Sequence, residues 1–324
     1  MTRTTPPRPL DVEALFPGLS VHRRTTTRLH PRAGSPGVAD SHVGGPLLWP
    51  ADEPWPVCEG PHGPAPDAPA LRPPQPLLAV AQLYGRDVPD LPAGPEGHDL
   101  LQVFWCPFDA HGPTGYGMYV HLRWRRAAGV REVLARHPDP GPVGFEGYVP
   151  RPCVLHPEQV AEYPYIEVLP GELGERVEAW EDAQEEASYE AQEEAEEEDS
   201  ERAGEGASEE TGALPSYQSD LSLAPGWKAG GHAAWNVTGP GTMDCRTCGS
   251  AMELLLTIAT REFHSDSTSW IPLEDSPLED RLPEDRLPED DVASPTGVVV
   301  GNHGKLNVFA CPQDPAHPHA FSVQ

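Results

Sequence analysis

A short succession of landmarks occurs twice in this chain and restricts its fold more than any other feature. One passage reads SHVGGPLLWPADEPWPVC and the other GWKAGGHAAWNVTGPGTMDC. Gly44-Gly45 match Gly230-Gly231, Trp49 matches Trp235, and Cys58 matches Cys245 after one inserted residue. An apolar, β-prone run follows each, residues 77–83 and 252–258. Each half then closes on VFxC, ending at Cys106 and at Cys311. Glycine turn, tryptophan, cysteine, strand and VFxC in that order are what a duplicated β-sheet unit would leave behind. The alternative is that β-proteins reuse glycine turns and aromatic strands independently.

The strand signals agree with a β-rich body. Residues 24–30 are rich in threonine, 77–84 (LLAVAQLY) and 100–105 (LLQVFW) are apolar, and 116–125 alternate around Met118, Val120, Leu122 and Trp124. Further strand signals cover 144–149, 165–169, 252–263, 297–300, 306–310 and 320–323. Proline and glycine, 41 and 31 of the 324 residues, separate these runs. The expected class is α+β and β-rich: an internally duplicated β-sheet domain of two pseudo-repeats with short helices and two acidic disordered insertions. Residues 1–19 read as an N-terminal segment, a loose end with one helical turn capped by Asp11. The first repeat spans 20–170 and the second 214–324, with 171–213 between them as a helix start plus an acidic insertion.

The formal charge of −29 belongs mainly to those insertions. Residues 172–210 hold 18 acids and two arginines, residues 274–291 nine acids and two arginines, and the remaining 267 residues carry −6. Leu173, Val177 and Trp180 recur at helical spacing, so a helix begins there with one buried stripe. Beyond Ala183 the stripe ends, and like charges at i,i+4 predict a solvated, disordered excursion. The second insertion, in the 274–291 loop, repeats RLPED at 281–285 and 286–290, and a proline every five residues forbids a helix there. No basic cluster is dense enough for nucleic acid. No apolar run approaches the roughly 18 residues of a membrane span, and the first residues lack the apolar core of a signal peptide. The reading is a cytoplasmic, monomeric protein with no nucleic-acid or membrane partner.

Six cysteines at this length are too few and too dispersed for a disulfide scaffold, so paired ones point to metal or redox chemistry. Cys245-Arg-Thr-Cys248-Gly249 is a C-x2-C knuckle whose glycine lets the backbone turn both thiolates toward one ion. Cys311 and one of His317 and His319 complete the four N and S ligands that structural zinc requires. The expected cofactor is therefore a structural zinc. A redox C-x-x-C, without the usual strand-to-helix setting, and ordinary reduced thiols stand as alternatives. In the first half, Cys58, His62, Cys106 and His111 occupy corresponding places as a degenerate second site, lacking the second knuckle cysteine. Cys153 reads as core. No catalytic constellation emerges: there is no G-x-S-x-G elbow, Gly301 to Leu306 lacks phosphate-loop spacing, and Asp40-Ser41-His42 alternate faces on one strand. Ser41 and His42 are expected to satisfy backbone groups around the Gly44-Gly45 turn.

At SHVGGPLLWP, EPWP, VAQL, LLQVFWCPFD and the Cys245/Cys248/Cys311 set, the chain resembles the YwqG-like family of bacterial proteins of unknown function, from about residue 20 to residue 324 outside the acidic insertions. That family is regarded as related to the eukaryotic programmed-cell-death-protein-2 group, a duplicated β-rich domain associated with ribosome biogenesis as a chaperone of a small-subunit ribosomal protein. The resemblance implies a non-enzymatic protein-binding or chaperone-like module. Acidic insertions would attract a basic partner, a ribosomal protein or a toxin, in a salt-dependent way. The competing readings are an immunity or antitoxin-like protein that neutralises a basic partner, and a metal-dependent enzyme.

Overall fold

Apolar and β-branched runs bounded by proline and glycine become the strands of two six-stranded antiparallel sheets. The computed structural model describes residues 2–60, 74–109, 118–201, 214–276 and 290–324. With strands labelled in chain order, sheet A runs β10 (Glu158–Glu162), β1 (Arg24–Arg28), β11 (Lys228–Gly230), β12 (Glu253–Ala259), β13 (Lys305–Ala310) and β14 (Ala320–Val323). Sheet B runs β2 (Arg32–Ala33), β9 (Cys153–Val154), β3 (His42–Val43), β6 (Leu78–Tyr84), β7 (Leu100–Trp105) and β8 (Val120–Arg125). A separate pair joins β4 (Val57–Cys58) to β5 (Gln75–Pro76). The chain is α+β and β-rich.

The inner faces of the sheets meet in one core. Val80, Leu101, Val103 and Trp105 from sheet B share it with Ala229, Leu256, Ile258, Leu306 and Val308 from sheet A, all at most 1% exposed. The grouping 20–170 and 214–324 does not coincide with the sheets, because β1 and β10 hydrogen-bond into sheet A. They do so as one ribbon. The β1–β10 pair passes directly into the β2–β9 pair of sheet B, turning at His30, whose φ is +43°.

In each sheet four strands follow in the same spatial order, β3-β6-β7-β8 and β11-β12-β13-β14. Both central ladders shift register at the corresponding place, between Ala79 and Ala81 and between Leu254 and Leu256. A single extra residue there puts Val80 and Ala81, and likewise Leu255 and Leu256, all into the shared core. Two residues further along, a polar pair crosses each ladder. Gln102 donates to Gln82 at 3.0 Å and to the Leu48 carbonyl; Thr257 donates to Asn307 at 2.9 Å, and Asn307 to the Ala234 carbonyl. Leu48 and Ala234 each precede the matched tryptophan, and both tryptophans pack on a VFxC phenylalanine, Trp49 on Phe104 and Trp235 on Phe309.

Several expectations are corrected. Residues 144–149 and 165–169 form 3-10 turns at Glu146–Tyr148 and Ile166–Val168, and 297–300 is no strand. Val298 and Val300 are fully buried, yet the N–H groups of Val299 and Val300 bond the Gly147 carbonyl and the Thr260 hydroxyl, which leaves no ladder. The helices are not all short. Besides α1 (Val12–Leu15) and, near the chain's end, α3 (Asp290–Ala293), α2 runs from Gly171 to Glu201, well past Ala183. Alanine, glutamate and glutamine are strong helix formers, and that propensity outweighs like-charge repulsion of a few tenths of a kcal/mol per pair. Residues 202–213 and 277–289, with the RLPED repeats up to Glu289, lie outside the described residues. Nor is the N-terminus loose: Thr5 binds Glu158, Arg8 lies over the rings of Tyr163 and Trp270, and the Leu273 N–H bonds the Thr4 carbonyl. Among the described residues no helix is long and apolar enough to cross a membrane.

Candidate metal centre

The knuckle is a tight hairpin placed just before β12. Asp244 bridges to Ala251, the Cys245 N–H bonds the Ser250 carbonyl at 2.9 Å, and the Gly249 N–H returns to the Cys245 carbonyl at 2.8 Å. Gly249 sits at φ +74°, in the left-handed region that a side chain disfavours, so the glycine after the second cysteine is what closes the turn. Glu253 pairs with Ala310 across the β12–β13 ladder. The knuckle therefore arrives beside the residue that follows β13, Cys311.

Four donors converge there. Cys245 Sγ lies 3.5 Å from His317 Nδ1, and Cys248 Sγ lies 3.5 Å from Cys311 Sγ. The four ligand atoms all lie within 4.8 Å of one another. Metal–ligand bonds of about 2.3 Å to sulfur and about 2.0 Å to nitrogen give tetrahedral edges of roughly 3.5–3.8 Å, so the donor set fits a four-coordinate zinc or similar soft ion. All six cysteines are free thiols. Hydrogen bonds from Ser250, from its side chain and its backbone, lower the Cys248 thiol to about 6, and desolvation raises that of Cys311. A thiol so lowered is largely thiolate at neutral pH, the form that binds metal.

His317 is oriented from its own turn. Its N–H bonds the Asp314 carbonyl at 3.0 Å, and with Nδ1 toward the thiols its Nε2 faces Asp314 Oδ2 at 3.7 Å, an ion-pair distance. At that distance the carboxylate acts on the imidazole through its charge rather than through a hydrogen bond. His319 goes elsewhere: its Nε2 is 3.1 Å from the Val120 carbonyl on β8. Of the two histidines left open by the sequence, the turn brings His317 to the thiols and aims His319 at the opposite sheet. The signal for Asp314 in the sequence is its place three residues before a candidate ligand histidine at a turn.

The first half is different. Cys58 and Cys106 are brought into hydrogen-bond contact, each 1% exposed, within an apolar cluster that includes Trp49, Leu77, Phe104 and Phe108. Desolvation pushes the Cys106 thiol up to about 12. His62 and His111 lie outside the described residues. Cys153 is buried in the shared core, where desolvation raises it to about 11, and it donates to the Pro295 carbonyl. Around the glycine turn, Ser41 donates to Asp87 and accepts from the Tyr84 N–H, while His42 Nδ1 accepts from the Gly45 N–H and its Nε2 lies 3.0 Å from the Pro46 carbonyl.

No protein-family model matches the chain, and no curated protein matches it.

Proposed function

We propose that Cys245, Cys248, Cys311 and His317 hold a structural zinc ion in a duplicated, non-enzymatic, YwqG-like protein that binds a basic protein partner. One observation carries the metal reading: three thiols and an imidazole, drawn from a hairpin before β12 and a turn after β13, converge within 4.8 Å. Bound zinc supplies a cross-link between those two segments, and such sites are worth on the order of 10 kcal/mol in model peptides. Four protein donors fill a tetrahedral shell and leave no open position for substrate, which favours a structural over a catalytic role. The matched strand order, register shift, polar pair and tryptophan–phenylalanine contact of the two sheets support the duplication. The 15 acidic side chains against one arginine in residues 171–201 support the basic partner.

Metal analysis of the purified full chain tests the centre. We expect one zinc per chain, lost in Cys245→Ser and retained in Cys58→Ser. Two zincs would show the first-half thiols to be ligands as well, and none would return the cysteines to packing. The partner reading is tested by capture from lysate at low and moderate salt, with and without residues 184–213. Partners unchanged by the deletion would remove the acidic segment from the interaction.

A further inference from the structure

The outer face of sheet A carries a cavity of about 560 Å³, within the range of small-ligand sites. Its floor is polar. Lys228 pairs with Thr257 across β11 and β12, and Lys305 stands two residues before Asn307, the partner of Thr257 on β13, so all three project from one face. Leu223 and Val323 contribute apolar wall, and Asn302 and His303 line it from the turn before β13. His303 is held at φ +59°, a left-handed conformation that non-glycine residues adopt at a cost and that clusters at ligand sites.

The two lysines on this floor are not equivalent. The Lys228 ammonium is paired with the Glu162 carboxylate and donates to the His232 carbonyl at 2.9 Å. The Lys305 ammonium has no hydrogen-bond acceptor or carboxylate within bonding reach among the described residues. Desolvation, with the charge of Lys228 behind it, pulls Lys305 down to about 8. Lys305 is half-buried and lines the open space of the cavity; Asp266 and Glu162 act on its charge only from beyond ion-pair reach. The one acid among the described lining residues, exposed Asp266, is beyond ion-pair reach of Lys305. At the matching ladder positions of sheet B the same place is packed shut: Ala259 and Lys305 correspond to Tyr84 and Leu100, at 2% and 0% exposure.

We propose that this cavity is a binding site for a small organic anion, a carboxylate or phosphate on an apolar body, with Lys305 taking its charge. It is distinct from the metal centre, since Lys305 opens β13 and Cys311 follows its end, roughly 20 Å away at about 3.3 Å per residue.

Lys228 and Lys305 are the only lysines in the chain, so amine-specific labelling of the full chain, read by peptide mass spectrometry, reads Lys305 separately from buried, Glu162-paired Lys228. The probes are benzoate and phenyl phosphate, with benzyl alcohol as the uncharged ring. At about 10 mM we expect one or both anions to slow labelling of Lys305 by roughly tenfold, as for a Kd near 1 mM. The same anion should raise the melting temperature of the wild type but not of Lys305→Gln, and benzyl alcohol should do neither. Protection by benzoate alone assigns a carboxylate, and by phenyl phosphate alone a phosphate. Equal protection by benzyl alcohol, no protection by either anion, or a Lys305 inert to the reagent overturns the proposal.

Discussion

At the scale of single residues, His42 shows how the site-like motif Asp40-Ser41-His42 serves the backbone. Its Nδ1 accepts from Gly45, so protonation there breaks a hydrogen bond as well as charging a buried ring. Desolvation holds His42 at about 4, as it does His30 and His232. The unfolded chain takes up these protons near pH 6.5 and the folded chain only near 4, so stability is lost as pH falls through that window. Between pH 7 and 5 each such histidine withdraws on the order of 2 kcal/mol. Buried Glu262, raised to about 7 by desolvation, works with the opposite sign and offsets roughly one of the three. Urea unfolding should therefore show a midpoint that drops on acidification, with a shallower pH slope in His42→Gln; an unaltered slope would contradict the neutral, buried assignment. The thiol set of the metal centre was legible in the sequence, because C-x2-C-G has one turn geometry. The choice between His317 and His319 was not, because two residues along a turn reverse a side chain's direction.

At the scale of elements, the glycine turns were legible and their geometry explains why. Gly44 and Gly230 both adopt left-handed backbone, φ +65° and +68°, and a Cβ at either would lie 2.6 Å from a backbone oxygen, of Arg151 and of Asp90. Gly44→Ala and Gly230→Ala should each cost about 2–3 kcal/mol, measurable by chemical denaturation, since neither the conformation nor the space admits a methyl group. Strand β10, with the sequence EQVAE, gave no periodic apolar signal, since it is recruited by pairing with β1 rather than by its own hydrophobicity. Helix α2 exceeds its expected length because intrinsic propensity acts where packing does not. Its outer part should accordingly respond to ionic strength: raising salt from about 10 mM to about 0.5 M shortens the screening length to a few Å, and ellipticity at 222 nm should deepen. A signal indifferent to salt would mean that repulsion along this helix is unimportant.

At the scale of the whole molecule, the shared core argues for one cooperative unit, although the repeated landmarks in the sequence suggest two. Leu256, Ile258 and Val308 are buried against Val103 and Trp105 of the other sheet, so neither sheet keeps its inner face dry alone. We expect tryptophan fluorescence and far-ultraviolet circular dichroism to report coincident unfolding, and a chelator to shift both together. Two separate transitions would contradict a common core. The continuity of β1 with β2 and of β9 with β10 makes the assembly resemble a bound book. Its spine is covalent chain, turning at His30, while the opposite margin, β14 beside β8, is joined by the reach of His319 to the Val120 carbonyl. The ribbon at the spine is held by the β1–β10 and β2–β9 ladders, whereas the fore-edge is bridged by a side chain from the turn that also carries His317, so opening of the molecule is expected to begin there.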